Sequence, residues 1–204
     1  MKPAGLTSEA SARNFGPILH LLKARLPHPG LVLEVASGAG EHALWMAEAM
    51  PDITWQPTDP SAVARESIDA WRLTKSLPNL NAPMPLDAAM PGTWLFGKAD
   101  AVVCINMAHI APFDATIGLM EGSSRVLSPG GMLFVYGPFS VGGKHTSPSN
   151  EAFDADLKAR NPEWGVRDVG QMKAAGFKYG LDLTEAIQMP ANNLSLVFRK
   201  LGPA

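Results

Sequence analysis

The chain has 204 residues, of which 46% are hydrophobic and 18% are charged, and its formal net charge is −2. This length and composition predict one globular domain over residues 1–204 and exclude a largely disordered chain. The basic residues are scattered rather than clustered, so neither nucleic acid nor an anionic membrane is expected as a partner.

The first part of the chain alternates predicted helices with short apolar strands. Apolar residues recur every three or four positions over residues 11–26, which predicts a helix. A nearly continuous apolar run over residues 31–35 predicts a strand covered on both faces. Glycine residues then separate it from a helix-like stretch that ends at Pro51, and a second strand is predicted at residues 53–56.

The same alternation continues through the middle of the chain. The predicted elements are a helix at 61–73, a weak, proline-interrupted strand at 80–86, a strand at 99–106, a helix at 113–126 and a strand at 132–136. Strands that alternate with helices imply right-handed crossovers and therefore a Rossmann-like, doubly wound sheet whose strands are mostly parallel.

The last third of the chain has a different character. Residues 138–176 are polar and contain one predicted helix, at 150–160. Two strand-like segments follow, at 181–189 and 194–200, and the connection between them is too short for a parallel crossover. We therefore predict an α/β fold with a mostly parallel, seven-stranded sheet that ends in an antiparallel C-terminal hairpin strand.

The turn after the first strand has the composition of a cofactor-binding loop. Ser37, Gly38 and Gly40 lie there; glycine permits a tight turn and close approach of a ligand, and the following helix offers free N–H donors. Residues 38–43 also match the G-x-G-x-x-A fingerprint of dinucleotide sites. About 20 residues after Gly40, at the end of the second strand, Asp59 can accept hydrogen bonds from ribose hydroxyls. Alternatively, Asp59 caps the next helix.

Glu34 distinguishes two candidate cofactors. NAD and S-adenosylmethionine both fit the glycine turn and the acid that follows it. A carboxylate inside the first strand is unfavourable beside the pyrophosphate of NAD, but it suits the ammonium and sulfonium groups of S-adenosylmethionine. The closing hairpin and the lack of a second, substrate-binding domain favour the same cofactor. An NAD-dependent oxidoreductase is the alternative if Glu34 has no role.

These residues resemble the motifs of class I S-adenosylmethionine-dependent methyltransferases. Residues 34–40 resemble their first motif, with Ala36 in place of its first glycine. The resemblance implies that Asp59 binds the ribose, that Asp87 lies near the adenine, and that residues 127–131 form the turn before the fifth strand. It also implies that the residues of the first motif contact the cofactor.

Longer stretches are similar to a family of small methyltransferase-like proteins of unassigned substrate, with bacterial and animal members. The similar stretches are residues 12–14, 36–42, 104–110, 136–138, 145–154, 162–165 and 189–195. This resemblance implies that Arg13 and Asn14 cover the carboxylate of the cofactor, although Asn14 is alternatively the cap of the first helix. Asn106 and Met107, after the fourth predicted strand, are further candidate cofactor contacts.

Three side chains with acid–base chemistry are expected beyond the carboxyl ends of the strands, where ligands of such sheets bind. His109 is the first candidate for a general base because imidazole titrates near neutral pH. Tyr136, at the end of the fifth strand, and His145, in the following loop, are the other candidates. Alternatively, His109 is structural and His145 is a turn residue. The spacing of histidine and acidic residues predicts no metal site.

We therefore expect a methyltransferase that acts on a small molecule or a protein side chain. A module that holds S-adenosylmethionine or its demethylated product without turnover is the alternative, because residues 106–109 replace the NPPY-type signature of amino-group methyltransferases. A signal peptide is not recognisable and no apolar run reaches about 18 residues, so a cytoplasmic protein is expected. Cys104, in an apolar run, is expected to be a buried strand residue.

Overall fold

The computed structural model describes residues 5–202, which form two sheets with flanking helices. The strands are β1 (Gly30–Val35), β2 (Ile53–Pro57), β3 (Ala99–Ile105), β4 (Leu127–Gly137), β5 (Phe139–Val141), β6 (Lys144–His145), β7 (Arg167–Asp168), β8 (Leu181–Met189) and β9 (Asn193–Lys200). The helices are α1 (Glu9–Lys23), α2 (Glu41–Ala49), α3 (Ala62–Lys75), α4 (Phe113–Val126), α5 (Pro148–Arg160) and α6 (Val169–Lys178).

The larger sheet is mixed and has the strand order β2-β1-β3-β4-β9-β8. The first four strands in this order are parallel, and β9 pairs antiparallel with both β4 and β8. The predicted α/β fold and its antiparallel closing hairpin are therefore confirmed. This topology brings the carboxyl ends of β1, β2, β3 and β4 to one edge of the sheet.

Within the described residues the larger sheet has six strands, not the seven predicted. The segment predicted as a strand at residues 80–86 follows β2 but forms only isolated bridges, from Trp55 to Leu80 and from Thr58 to Met84. Pro83 and Pro85 have no backbone N–H to donate, so a continuous ladder cannot form there.

Two apolar clusters cover the two faces of this sheet. Successive residues of β3 alternate between them, with Val102 and Cys104 in one cluster and Ala101 and Val103 in the other. Helices α4 and α6 complete the first cluster, and α1 and α2 complete the second. Cys104 is fully buried, as predicted, and burial raises the pKa of its thiol to about 12.

The region predicted as polar, residues 138–176, is more structured than its composition indicates. Besides α5 it contains the short strands β5, β6 and β7, which form a second sheet, and the start of α6. Two- and three-residue strands are too short to produce a readable alternation of apolar and polar residues. No helix within residues 5–202 is long and apolar enough to cross a membrane.

Candidate functional site

The loop between β1 and α2 turns through three residues with positive φ. These angles are 58° at Ala36, 55° at Gly38 and 91° at Gly40. A Cβ at position 38 would meet no atom within 4 Å, whereas one at position 40 would lie 2.8 Å from the Cα of Ile68. Gly40 therefore permits packing against α3, while Gly38 leaves open space beside the loop that a ligand can approach.

Ala36 occupies the position at which the methyltransferase motif has its first glycine. Its φ of 58° is in the left-handed region that glycine adopts freely. For an alanine this backbone costs about 1–2 kcal/mol. The loop thus keeps the backbone shape of the glycine motif although one glycine is missing.

Asp59 connects this loop to the end of β2. Its Oδ2 accepts a hydrogen bond from the Gly38 N–H at 3.0 Å, and its Oδ1 accepts one from the Ser61 N–H at 2.9 Å. The side chain is buried, and Ser61 is the N-cap of α3. Ser61, not Asp59, is thus the cap of α3, so the alternative in which Asp59 caps that helix is wrong; Asp59 instead binds the N–H of the cap residue and anchors the glycine loop. A carboxylate can accept about four hydrogen bonds, so lone pairs remain for a ligand.

Ser37 is part of this loop, and the Glu34 side chain lies beneath it. The Ser37 N–H donates to the Thr58 carbonyl at 2.8 Å, which holds the loop against the residue after β2. The Glu34 carboxyl is 2% exposed and its Oε2 accepts a hydrogen bond from the Trp55 indole N–H at 2.9 Å. Burial raises the pKa of Glu34 to about 7, although the bond from Trp55 opposes this rise. A nearby cation would favour the ionised carboxylate.

Asp87 lies in a turn after the proline-interrupted segment that follows β2. Its Oδ1 accepts a hydrogen bond from the Ala89 N–H at 2.9 Å, and its own N–H donates to Thr93 Oγ1 at 3.0 Å. The side chain is half-buried. These bonds fix the turn next to the end of β2.

A cavity of about 460 Å³ lies beyond the carboxyl ends of β3 and β4. Five parts of the chain line it: α1 with its N-cap, the loop after β3, the residue after β4, α5, and the turn between β8 and β9. The lining residues are Ser8, Ala10, Arg13, Asn14, Asn106, His109, Pro138, Asn150, Phe153, Ala191 and Asn193. Of the predicted site residues, Arg13, Asn14, Asn106 and His109 therefore meet in one cavity.

The N-terminal segment covers this cavity and is tied to the glycine loop. The Ser8 N–H donates to Glu41 Oε2 at 2.6 Å, and Ser67 Oγ accepts from the Leu6 N–H and donates to the Ala39 carbonyl. Ser8 is the N-cap of α1, so the alternative in which Asn14 caps that helix is wrong. Asn14 instead lies inside α1, with 9% of its surface exposed.

His109 is buried and uncharged at neutral pH. Its ring packs edge-on against Phe153, with 5.5 Å between the ring centroids. Burial and, to a smaller extent, the charge of Arg167 together lower the pKa of His109 to about 4. Asn106, which precedes it, has a φ of 62°, a strained backbone of the kind found at ligand sites.

Tyr136 and Met107 do not line the cavity. The Tyr136 hydroxyl accepts a hydrogen bond from Asn193 Nδ2 at 2.9 Å, and burial raises its pKa. Asn193 itself lines the cavity, so Tyr136 contacts the site through that side chain. Met107 is 7% exposed and packs in the apolar cluster with α4 and α6.

The structure does not bring His145 into the cavity that holds His109. His145 lines a separate cavity of about 500 Å³ beside β6 and the start of α5. Its Nε2 lies 3.4 Å from Asp154 Oδ2, and Asp154 also accepts hydrogen bonds from Lys158 and the Val166 N–H. Asn150 and Phe153 were not predicted as site residues, although both belong to a stretch, residues 145–154, that carries the family resemblance.

The fold agrees with comparisons to known proteins. A model of the family described as "Protein of unknown function (DUF938)" matches residues 6–200. An O-methyltransferase family protein from Burkholderia thailandensis has a similar structure, with a TM-score of 0.79 and 15% identity over 96% of this chain and 59% of that protein.

Two further solved structures are similar and come from ligand complexes. Human N-acetylserotonin methyltransferase, in complex with S-adenosylmethionine, has a TM-score of 0.76 and 15% identity over 95% of this chain and 53% of its own. CalO1 is a methyltransferase in calicheamicin biosynthesis whose structure holds S-adenosylhomocysteine. Its TM-score is 0.72, and it is 18% identical over 96% of this chain and 54% of its own. The chain thus spans less than two thirds of each and shares the fold of class I methyltransferases.

Proposed function

The chain belongs to the DUF938 family of proteins of unknown function, and we propose that it is an S-adenosylmethionine-dependent methyltransferase. The observation that carries this proposal is the bond between the Gly38 N–H and the Asp59 carboxylate at the edge of the sheet. It holds a glycine loop and an acidic residue together at the point where doubly wound sheets bind ligands.

The residues around the loop have the chemistry that this cofactor requires. Asp59 has spare acceptor capacity for ribose hydroxyls, and Gly38 leaves room for close approach. The buried Glu34 carboxyl has no cationic partner in the described part of the chain, and the ammonium of the cofactor would be one. Asp87 would lie at the adenine end, and Asn106 at the methionine end. When bound, S-adenosylmethionine supplies a methyl group that its sulfonium makes electrophilic.

The cavity beside the loop would hold the methyl acceptor. Asn106 and His109 contribute polar atoms to it, and Phe153 and Ala191 contribute apolar walls. Methyl transfer is an in-line displacement, so alignment of the acceptor within these walls supplies much of the rate enhancement. His109, being uncharged, orients an acceptor by hydrogen bonding rather than by charge.

A module that binds the cofactor without turnover is the second candidate. It is favoured by the low pKa of His109, about 4, which makes this imidazole a weak general base. The two candidates differ in whether methyl groups leave the cofactor. We expect tritiated S-adenosylmethionine, incubated with the protein and a small-molecule extract, to yield S-adenosylhomocysteine and a labelled product.

The matched control for that assay is Asp59→Ala, which should lose product formation together with cofactor affinity. Saturable cofactor binding without any labelled product, across extracts and with purified proteins as acceptors, would contradict turnover and favour the binding module.

A further inference from the structure

Resting on the proposed function, we propose that the acceptor cavity binds an organic acid, and that the ionised carboxylate of this acid, held by Arg13, receives the methyl group. The lining of the cavity contains one cationic side chain, amide groups that are free to donate hydrogen bonds, and apolar surface.

The charge of the lining selects against a cationic acceptor. Among the described residues that line the cavity, Arg13 is the one that is charged at neutral pH, and no lining residue is acidic. An ammonium group that entered would lose hydration without gaining an anionic partner, which is unfavourable. A carboxylate would instead meet a guanidinium, whose forked N–H donors match its two oxygens.

Arg13 is available for such a partner. Its side chain is 66% exposed, and its ion-pair partner among the described residues is Glu9, at 3.6 Å on the same helix, whose side chain is 96% exposed. Exposed pairs of this kind contribute about 0–1 kcal/mol, so an incoming carboxylate can replace Glu9 at little cost. The positive charge of Arg13 also acts on the Tyr136 hydroxyl and opposes the rise of its pKa.

Two carboxamides in the same wall have no hydrogen-bond partner in the described part of the chain. Asn14 is 9% exposed and Asn106, after β3, is half-buried; both line the cavity. Neither amide is among the buried polar atoms without a partner, so both are open to the cavity and can bind an incoming group without giving up a bond within the protein. Their N–H₂ groups are donors, which is what carboxylate oxygens require.

The remaining carboxamides of the lining do not compete for this role. Asn150 Nδ2 donates to the Asn192 carbonyl and to Thr146 Oγ1, both at 2.9 Å. Asn193 Nδ2 donates to the Tyr136 hydroxyl and to the Pro190 carbonyl. Because these two amides are already bonded, the carboxamides free to donate are those of Asn14 and Asn106, on the side of the cavity formed by α1 and the end of β3. Ala10, Pro138, Phe153 and Ala191 leave apolar surface for the body of the acid.

A carboxylate acceptor also needs no general base. A lone pair of the ionised oxygen forms the new O–CH₃ bond, the C–S bond breaks, and its electron pair remains on sulfur as the neutral thioether. The products are a methyl ester and S-adenosylhomocysteine, and no proton is removed. This agrees with His109, whose pKa of about 4 is far too low to deprotonate an alcohol or an ammonium.

The test uses three probes that share one ring and differ in charge: benzoate, benzamide and benzylamine. Each is titrated calorimetrically into the full chain saturated with S-adenosylhomocysteine. We expect benzoate to bind at least about tenfold more tightly than the other two, as one added charge-assisted contact implies. Arg13→Gln should lower the affinity for benzoate about fivefold or more and leave the affinity for benzamide unchanged.

Arg160→Gln is the matched control, because this arginine is on α5, is 59% exposed and does not line the cavity. It should leave benzoate affinity unchanged. Alkaline treatment of a reaction with tritiated S-adenosylmethionine and benzoate should release volatile methanol, since methyl esters hydrolyse in base and methyl ethers and amines do not.

Several outcomes would overturn the inference. Benzylamine binding as tightly as benzoate, no benzoate binding at all, or an unchanged benzoate affinity in Arg13→Gln would each do so. A loss of S-adenosylhomocysteine affinity alone in Arg13→Gln would assign this arginine to the cofactor instead. If the unaltered protein does not bind S-adenosylhomocysteine, the proposed function itself fails, which the first titration reveals before any probe is added.

Discussion

The Gly38 N–H and the Asp59 carboxylate lie 3.0 Å apart, joining the loop after β1 to the residue that follows β2. Together with the bond from the Ser37 N–H to the Thr58 carbonyl, it joins the carboxyl ends of two parallel strands through residues that are distant in sequence. Because Asp59 also accepts the Ser61 N–H, the same carboxylate fixes the start of α3. The proposed ribose contact and the local order of the loop and of α3 therefore depend on the same residue.

Asp59→Ala should weaken S-adenosylmethionine binding by about 1–3 kcal/mol, the usual cost of losing hydrogen bonds that a carboxylate accepts. Calorimetric titration measures this change. Asp59→Asn is the matched control: it keeps one acceptor oxygen for the Gly38 N–H and should show a smaller loss of affinity. Equal affinity in the unaltered protein and in Asp59→Ala would remove the ribose assignment.

Ala36→Gly should raise the free energy of unfolding, by up to about 1 kcal/mol. The change relieves the left-handed backbone at φ 58°, and the greater entropy of glycine in the unfolded chain offsets part of the gain. Urea unfolding measures the difference. Ala39→Gly is the matched control, since Ala39 is in the same loop but is not a positive-φ residue. The free energy of unfolding of Ala39→Gly should fall by about 0.5–1 kcal/mol. If both variants lose stability equally, Ala36 is not strained.

Glu34→Gln should change how stability depends on pH. Burial raises the pKa of Glu34 from 4.5 to about 7, so the folded protein holds this proton more tightly than the unfolded chain does. The contribution of this group is therefore fully present below pH 4.5 and is lost as the pH rises through about 7. The free energy of unfolding of Glu34→Gln, relative to that of the unaltered protein, should therefore be about 2–3 kcal/mol higher at pH 8 than at pH 5.

Urea unfolding at both pH values measures this difference. Glu48→Gln, at a half-exposed carboxylate on α2, serves as the control and should show no such trend. A stability difference for Glu34→Gln that stays constant with pH would show that the carboxyl is ionised throughout.

The same group should make cofactor affinity depend on pH. The ammonium of S-adenosylmethionine favours the ionised carboxylate, so affinity should increase as the pH rises through about 7. Glu34→Gln should bind more weakly at pH 8 and lose this dependence. Titrations at pH 6 and pH 8 check the effect, and a pH-independent affinity in the unaltered protein would indicate that Glu34 does not contact the cofactor.

His109→Ala should leave the affinity for S-adenosylmethionine within about twofold, since His109 lies against Phe153 in the acceptor cavity. Methyl transfer should fall, because the variant opens the cavity wall beside the acceptor. His145→Ala is the comparison variant and should change neither quantity, as His145 lines a different cavity. A large loss of cofactor affinity in His109→Ala would make this histidine a cofactor contact.

Much of the fold could be predicted because its main strands carry strong local signals. The apolar runs of β1 and β3 and the short link between β8 and β9 are each sufficient to define their elements. Pro83 and Pro85 pointed to a weak strand, and the missing N–H groups in fact prevent one. The strands β5, β6 and β7 have only two or three residues each and could not be recognised from periodicity.

The candidate site was predictable where a strand end positions a residue. Asn106 and His109 follow β3 directly, so the topology brings them to the ligand edge of the sheet. Asn150 and Phe153 reach the same cavity from α5, whose position depends on tertiary packing that no local pattern encodes. His145 was misplaced for the same reason, because β6 pairs with β5 and holds it beside Asp154.

The most direct test of the account is an isothermal titration of the purified protein with S-adenosylmethionine, S-adenosylhomocysteine and NAD in separate experiments. We predict saturable binding of the first two and no detectable binding of NAD, because Glu34 lies beneath the loop that would hold its pyrophosphate. Binding of NAD alone would contradict the central claim and make residues 38–43 a dinucleotide-binding loop.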